Sequence, residues 1–210
     1  MIKSTLYPKT ERVKELGDYV NITEKIDGSN LVFFKKNEEL WIGLRNNIVP
    51  YKEIEETKDL LYGGLYNWLK EHGEHLQSEL NNNSAICGEW IGMGCTKYPN
   101  DTWTKKWYMF AKANVSDEFK LYNLKYNHDL FAYPFISCEI PEYLGIVPVV
   151  ADIQVLPTKN VLDKIYEEYT QKVNRPVEGF VMNYHDIICK YVRLKKGKLV
   201  EYRENDRKGE

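Results

Sequence analysis

Between Tyr19 and Leu44 the chain alternates short β-rich runs with tight polar breaks, and this constrains the fold more than any other feature. YVNITEK and SNLVFFKK are separated at Asp27-Gly28, and a KNEE turn leads into LWIGL. Strand-like runs in such hairpin-like succession point to antiparallel sheets, because a parallel crossover needs about a dozen residues or more. The same texture returns in SAICGEWIGMG, WYMFAKANV and VVADIQVL, and near the end in VEGFVMNY, DIICKYVRL and KLVEYR. Two segments break it. Residues 58–80 place Leu61, Leu65, Trp68, Leu69, Leu76 and Leu80 at helical spacing, with Gly63-Gly64 and Gly73 weakening the pattern. Pro157-Thr158 opens a second helix with Val161, Leu162, Ile165, Tyr166 and Tyr169 on one face. The expectation is an α+β protein of antiparallel sheets in a single domain, 1–210. Residues 116–148 give no clear pattern.

Composition narrows the class. A chain of 210 residues buries roughly 70% of what its unfolded form exposes, enough for a sizeable core. With 43% apolar and 29% charged residues, disordered, collagen-like and disulfide-scaffold classes are excluded. No run reaches the ~18 apolar residues that span a bilayer, and MIKSTLYPKTER lacks a signal-peptide core, so a cytoplasmic protein without a membrane partner is expected. Cys87, Cys95, Cys138 and Cys189 form no CxxC pair, which favours reduced thiols over a zinc or redox site. His72 and His75 stand three apart without a third ligand and read as solvated helix residues. The net charge of −2 hides an asymmetry: from Lys190 onward eight Lys/Arg face four acids, a balance of +4 on a body of −6. Such a stretch suits a phosphate-bearing partner or a solvated tail equally.

Four local features carry chemistry. In Glu24-Lys25-Ile26-Asp27-Gly28-Ser29-Asn30 a lysine ends a strand just before a polar turn. Anchored there beside a phosphate site it is a sensible covalent nucleophile; a surface lysine before a turn is the plain alternative. Gly88-Glu89-Trp90-Ile91-Gly92 sets a carboxylate in an apolar strand, where it either meets a cation, metal or donors or simply faces outward. Val177-Glu178-Gly179-Phe180-Val181 repeats that logic. Cys189-Lys190-Tyr191-Val192-Arg193 brings cations from a strand. Each could be ordinary sheet.

Together and in this order, these features resemble the motifs of the covalent nucleotidyltransferase superfamily of ATP-dependent ligases and mRNA capping enzymes. Lys25-Ile26-Asp27-Gly28-Ser29 is similar to the first motif and Leu44-Arg45-Asn46 to the short arginine motif. Gly88–Gly92 resembles the third motif, Tyr108-Met109-Phe110 the aromatic one, and Glu178-Gly179-Phe180-Val181 the fourth. The fifth is matched in part by Cys189–Arg193. The blocks run from about residue 20 to 195. EKIDGSN is most similar to the RNA ligase 2 and RNA-editing ligase type, because Ile26 and Asn30 stand where DNA ligases favour an aromatic and an arginine.

The resemblance implies an α+β adenylation domain of antiparallel sheets flanked by helices, with an ATP-grasp-like ligase core. It implies ATP and Mg²⁺, with Mn²⁺ as a substitute. The partner would be RNA with 5′-phosphate and 3′-hydroxyl ends, or DNA and RNA–DNA nicks, handled by a monomer. Lys25 would attack the α-phosphate of ATP. Glu178 would hold the metal, and Glu89 the ribose or a second metal water. Arg45 would contact ribose or the 5′-phosphate, and Phe110 would stack on adenine, with Tyr108 as the alternative. Lys190 would meet the α-phosphate and help to keep Lys25 unprotonated. Glu24, Asp27 and Asn30 complete the nucleotide-binding set.

Two departures stand out. The fifth motif usually pairs two lysines one residue apart, whereas here Val192 follows Lys190 at that spacing and Arg193 comes next. The sequence also gives no sign of an appended OB-fold after residue 195, and a single-domain enzyme with a basic strand in place of a clamp is expected. The competing readings are a minimal DNA ligase, a GTP-using capping transferase and a non-catalytic binder of nucleic-acid ends.

Overall fold

The computed structural model describes residues 1–3, 6–7, 11–12, 20–126, 135–137, 139–154, 158–184, 187–196 and 198–200. In chain order the strands are β1 (Glu11–Arg12), β2 (Val20–Lys25), β3 (Ser29–Lys36), β4 (Glu39–Gly43) and β5 (Ile48–Pro50). Helix α1 (Leu65–Glu79) follows, then β6 (Ser84–Trp90), β7 (Trp107–Val115), β8 (Leu121–Tyr126), β9 (Gly145–Ile146) and β10 (Val149–Ile153). Helix α2 (Lys159–Val173) precedes β11 (Gly179–Tyr184), β12 (Ile187–Val192), β13 (Leu194–Lys195) and β14 (Lys198–Leu199).

The chain folds as two compact units. The first comprises Met1–Pro8, Gly28–Met93 and Thr104–Ile146; the second comprises Lys9–Asp27, Gly94–Trp103 and Val147–Glu210. The chain therefore passes from one unit to the other within the Asp27-Gly28 turn.

The first unit holds a seven-stranded sheet ordered β5-β4-β3-β6-β7-β8, with β9 beside β7. All its pairings are antiparallel except β7 with β9. Both faces of this sheet are apolar, as an uninterrupted run such as LVFF requires. On one face Leu31, Phe33, Ile42, Ile86 and Met109 pack under α1, which contributes Leu65, Trp68, Leu69 and Leu76. Trp68 stacks on Phe33 with ring centroids 5.3 Å apart. On the other face Val32, Phe34, Ala85, Cys87, Ala111 and Ala113 form a separate cluster.

The second unit holds a five-stranded sheet ordered β1-β12-β11-β2-β10, antiparallel apart from β1 with β12. Its two faces differ. Val20, Ile22, Phe180, Met182, Cys189 and Tyr191 pack against Leu162 and Tyr166 of α2. Residues of opposite parity put Asn21, Thr23 and Lys25 on the reverse face. Register aligns Thr23 with Val181 and Lys190, and Lys25 with Gly179 and Val192.

Several expectations need correction. Residues 58–80 do not form one helix: a 3-10 turn spans Lys58–Leu60, and α1 begins at Leu65. Gly63 and Gly64 have φ of +57° and +82°, a conformation that stops an α-helix from continuing through them. The strand expected through Gly94 ends at Trp90. His72 is not a solvated residue, because its ring stacks on Tyr143 at 4.4 Å with planes 4° apart; His75 is the exposed one of the pair. The second helix behaves as expected, with the Thr158 side chain accepting from the Val161 backbone N–H. Cys138, Pro157, the ends of VVADIQVL and KLVEYR, and Arg203, Arg207 and Lys208 lie outside the described residues.

Candidate active site

On the second unit, Lys25 is the last residue of β2, and its Nζ donates to Glu178 Oε2 at 2.6 Å. Both side chains are largely enclosed, 25% and 14% exposed. Glu178 immediately precedes β11, so its position is set by the strand beside β2. Burial raises the Glu178 pKa above the ordinary glutamate value, Lys25 and Lys190 pull it down, and the Asp27 carboxylate pushes it up. Lys25, Glu178, Asp27 and Lys190 thus form one electrostatic cluster. Lys190 shares the Lys25 face by register, and so does Val192.

Arg193 does not join that cluster. Its guanidinium meets Asp163 of α2 and the Tyr191 hydroxyl, and it lies over the Tyr166 ring. It belongs to the α2 side of the sheet. The cation missing at Val192 is not restored by its neighbour.

Glu24 shares the parity of Ile22 and points toward α2, with no exposed side-chain surface. Arg175 grips both its oxygens, at 2.5 and 2.7 Å, and the Tyr169 hydroxyl donates to it at 2.7 Å. A buried carboxylate is tolerable only with such a set of donors. The Arg175 guanidinium in turn lies 4.6 Å over the Trp103 ring. Asp27 is committed elsewhere: its Oδ2 accepts from the Cys95 and Thr96 amides and from Thr96 Oγ1, at 2.7–2.8 Å. Its own amide donates to the Tyr98 hydroxyl at 2.9 Å. Burial drives the Tyr98 pKa well up, reinforced by Glu24, Glu178 and Asp27, so this phenol stays protonated. Residues 95–103 therefore lash the end of the Lys25 strand from two sides.

On the first unit, Asn30 and Glu89 are register partners on β3 and β6. Glu89 Oε1 accepts from the Gly28 amide at 3.1 Å. A side chain at residue 28 would place its Cβ 2.3 Å from the Trp90 carbonyl oxygen, which is why the turn requires glycine. Arg45 is exposed in the loop between β4 and β5. Burial raises the Tyr62 pKa, with a further rise from Glu89 and a fall from Arg45, so all three lie within electrostatic reach. Phe110 is half-buried, edge-on to Tyr7 at 5.1 Å. Tyr108 is buried, and its hydroxyl accepts from the Lys105 amide. Phe110 is thus the more available aromatic.

The structure gathers Lys25, Glu178, Lys190 and Asp27 on the second unit, with Glu24 on the reverse of the same sheet. Asn30, Glu89, Arg45 and Phe110 lie on the first. Sequence reading missed Arg175, Tyr169 and the 95–103 segment. Arg175 stands three residues before Glu178, which is the one local hint of its role.

Comparison with known proteins follows this geometry. The family model for RNA ligases matches residues 18–196. The chain belongs to the RNA ligase family. No curated protein matches it in sequence. Among solved structures, an archaeal ATP-dependent RNA ligase is 17% identical, with a TM-score of 0.47 over 89% of this chain and 48% of that one. A Naegleria gruberi RNA ligase, a lysine-to-alanine mutant with ATP and Mn, is 15% identical, with a TM-score of 0.49 over 91% of this chain and 57% of that one. An Aquifex aeolicus protein assigned as an ATP-dependent DNA ligase is 17% identical, with a TM-score of 0.46 over 89% of this chain and 49% of that one. This member of the RNA ligase family spans about half the length of those structures. Among the described residues no helix is long and apolar enough to cross a membrane.

Proposed function

We propose that this chain is an ATP-dependent RNA ligase that joins 5′-phosphate and 3′-hydroxyl ends through a lysyl-AMP at Lys25. The observation that carries the reading is the enclosed Lys25–Glu178 pair at the end of β2, with Lys190 on the same face. Family membership over residues 18–196 supports it.

Three exchanges at phosphorus follow. Lys25 Nζ, having given up a proton to solvent, forms a P–N bond to the α-phosphate of ATP while the bond to pyrophosphate breaks. An oxygen of the RNA 5′-phosphate then attacks that phosphorus, the P–N bond breaks, and the lysine amine is regenerated. Finally the RNA 3′-hydroxyl attacks the 5′-phosphate, its proton passes to solvent, and AMP leaves. Each step depends chiefly on in-line placement and charge neutralisation. β2 supplies placement, held by the Glu24–Arg175 lock on its reverse face. Lys190 would neutralise the α-phosphate. Phe110 would stack on adenine, while Arg45, Asn30 and Glu89 would meet ribose and phosphate.

A divalent cation fits the residues present. Glu178 Oε1 and Asp27 Oδ1 make no hydrogen bond among the described residues, and the Asp27 carboxylate adds to the negative field at Glu178. Among the described residues no cluster of three or more candidate metal ligands exists. Hard oxygen donors in small number suit Mg²⁺ or Mn²⁺ that keeps most of its waters. Glu178 would hold it, with Asp27 nearby and Glu89 reaching a second ion or its water. Bound there, such an ion supplies positive charge to the phosphate oxygens.

The test is sealing of nicked duplexes bearing a 5′-phosphate, with RNA or DNA on the 3′-hydroxyl side. The proposal expects ATP-dependent joining at the RNA ends and none by Lys25→Ala. Joining by Lys25→Ala at the wild-type rate would overturn it; preference for DNA ends would make the chain a DNA ligase instead.

A further inference from the structure

We propose that the hairpin formed by β13 and β14 is a docking surface for the phosphate backbone of the RNA substrate, which rests on the ligase reading above. β13 and β14 pair antiparallel, with Leu194 opposite Leu199 and Lys195 directly opposite Lys198. Lys196 sits at the turn with φ of +52°. All three lysines are exposed, and none has a carboxylate partner among the described residues.

Like charges placed directly across a strand pair oppose the pairing. A hairpin built only to close the chain gains nothing from this arrangement. It becomes favourable when an anion lies between the ammonium groups, and a polyanion with regularly spaced charges satisfies three of them at once. Charge complementarity therefore selects a nucleic-acid strand.

The root of the hairpin says where that strand would be delivered. The Arg193 and Leu194 amides both donate to the Glu178 backbone carbonyl, at 2.8 and 2.9 Å. The Val200 amide closes the base onto the Arg193 carbonyl at 2.7 Å. The lysine-bearing tip is thus fixed to the residue whose side chain holds Lys25. Phosphates bound by Lys195, Lys196 and Lys198 would enter beside the Lys25–Glu178 pair.

The experiment is fluorescence anisotropy with a labelled single-stranded RNA carrying a 5′-phosphate, without ATP, over a series of salt concentrations. Wild type is compared with the combined variant Lys195→Gln, Lys196→Asn, Lys198→Gln, in which asparagine tolerates the left-handed backbone at residue 196. A second variant replaces all three by arginine, and melting temperature confirms the fold of each. Three lost phosphate contacts should flatten the slope of log affinity against log salt by about 2 and weaken low-salt binding at least tenfold, with arginine restoring both. An unchanged slope and affinity in the neutral variant would overturn the proposal. Because binding is read without ATP, a failure of lysine adenylation strikes the ligase reading and leaves this measurement intact.

Discussion

The two sheets solve different problems. The sheet of the first unit is apolar on both faces, with Leu31, Phe33 and Ile86 on one side and Val32, Phe34 and Cys87 on the other. The sheet of the second unit is apolar only where it meets α2; its other face carries Asn21, Thr23, Lys25 and Lys190. The first is held chiefly by apolar burial on both faces. The second keeps charge on a strand, and it does so by fastening that strand from behind with a buried ion pair. Mutations should therefore fail differently in the two units, through packing in the first and through charge in the second.

The largest effect falls on chemistry. Lys25→Ala and Lys25→Arg should both abolish formation of the covalent nucleotide adduct, because a guanidinium stays protonated and cannot attack. Circular dichroism should show both variants folded.

Next come two losses of similar size and opposite character. Phe33→Ala should destabilise the first unit by about 3–5 kcal/mol in urea unfolding, through transfer and cavity terms. Arg175→Ala should cost about 3–5 kcal/mol by leaving the Glu24 carboxylate buried without its partner. Adding Glu24→Gln to the arginine variant should recover part of that loss. If it recovers nothing, the ion pair is not what fastens β2.

A smaller effect separates binding from chemistry. Phe110→Ala should raise KM for ATP by an amount equivalent to about 1–3 kcal/mol of stacking, with little change in kcat. Tyr108→Leu, which removes the ring, should leave KM near wild type. The reverse ranking would move the stacking role to Tyr108.

The smallest concerns pH. Glu178 has its pKa raised in the folded state, so the folded protein binds more protons than the unfolded one between the ordinary glutamate value and the raised one. Stability from this group is present at lower pH and is lost as pH rises through that window. Glu178→Gln should remove this decline, and urea midpoints of both proteins from pH 4 to pH 8 would check it.

How much of this the sequence discloses follows from the same contrast. Strands β3, β6 and β7 are legible because burial on both faces makes most of their residues apolar, as in LVFF of β3, SAIC of β6 and WYMFA of β7. Glu89 and Glu178 are legible because each is a charge beside glycine in a β-run, and Lys25 because it ends a β-run just before the Asp27-Gly28 turn. The Arg175–Glu24 lock is not, since its partners stand 151 residues apart and the nearness of Arg175 to Glu178 does not point to Glu24. The segment lashed to Asp27 is equally silent, because two of its three donors to that carboxylate are backbone amides, which any sequence supplies. The start of α1 is not legible, because leucine spacing continues across Gly63-Gly64 while the helical backbone does not.

The most direct measurement is incubation of wild type and Lys25→Ala with Mg²⁺ and α-labelled ATP, GTP or NAD, followed by denaturing separation. The account predicts label from ATP on wild type and none on Lys25→Ala. Equal labelling of both proteins, or label from GTP or NAD in place of ATP, would contradict it.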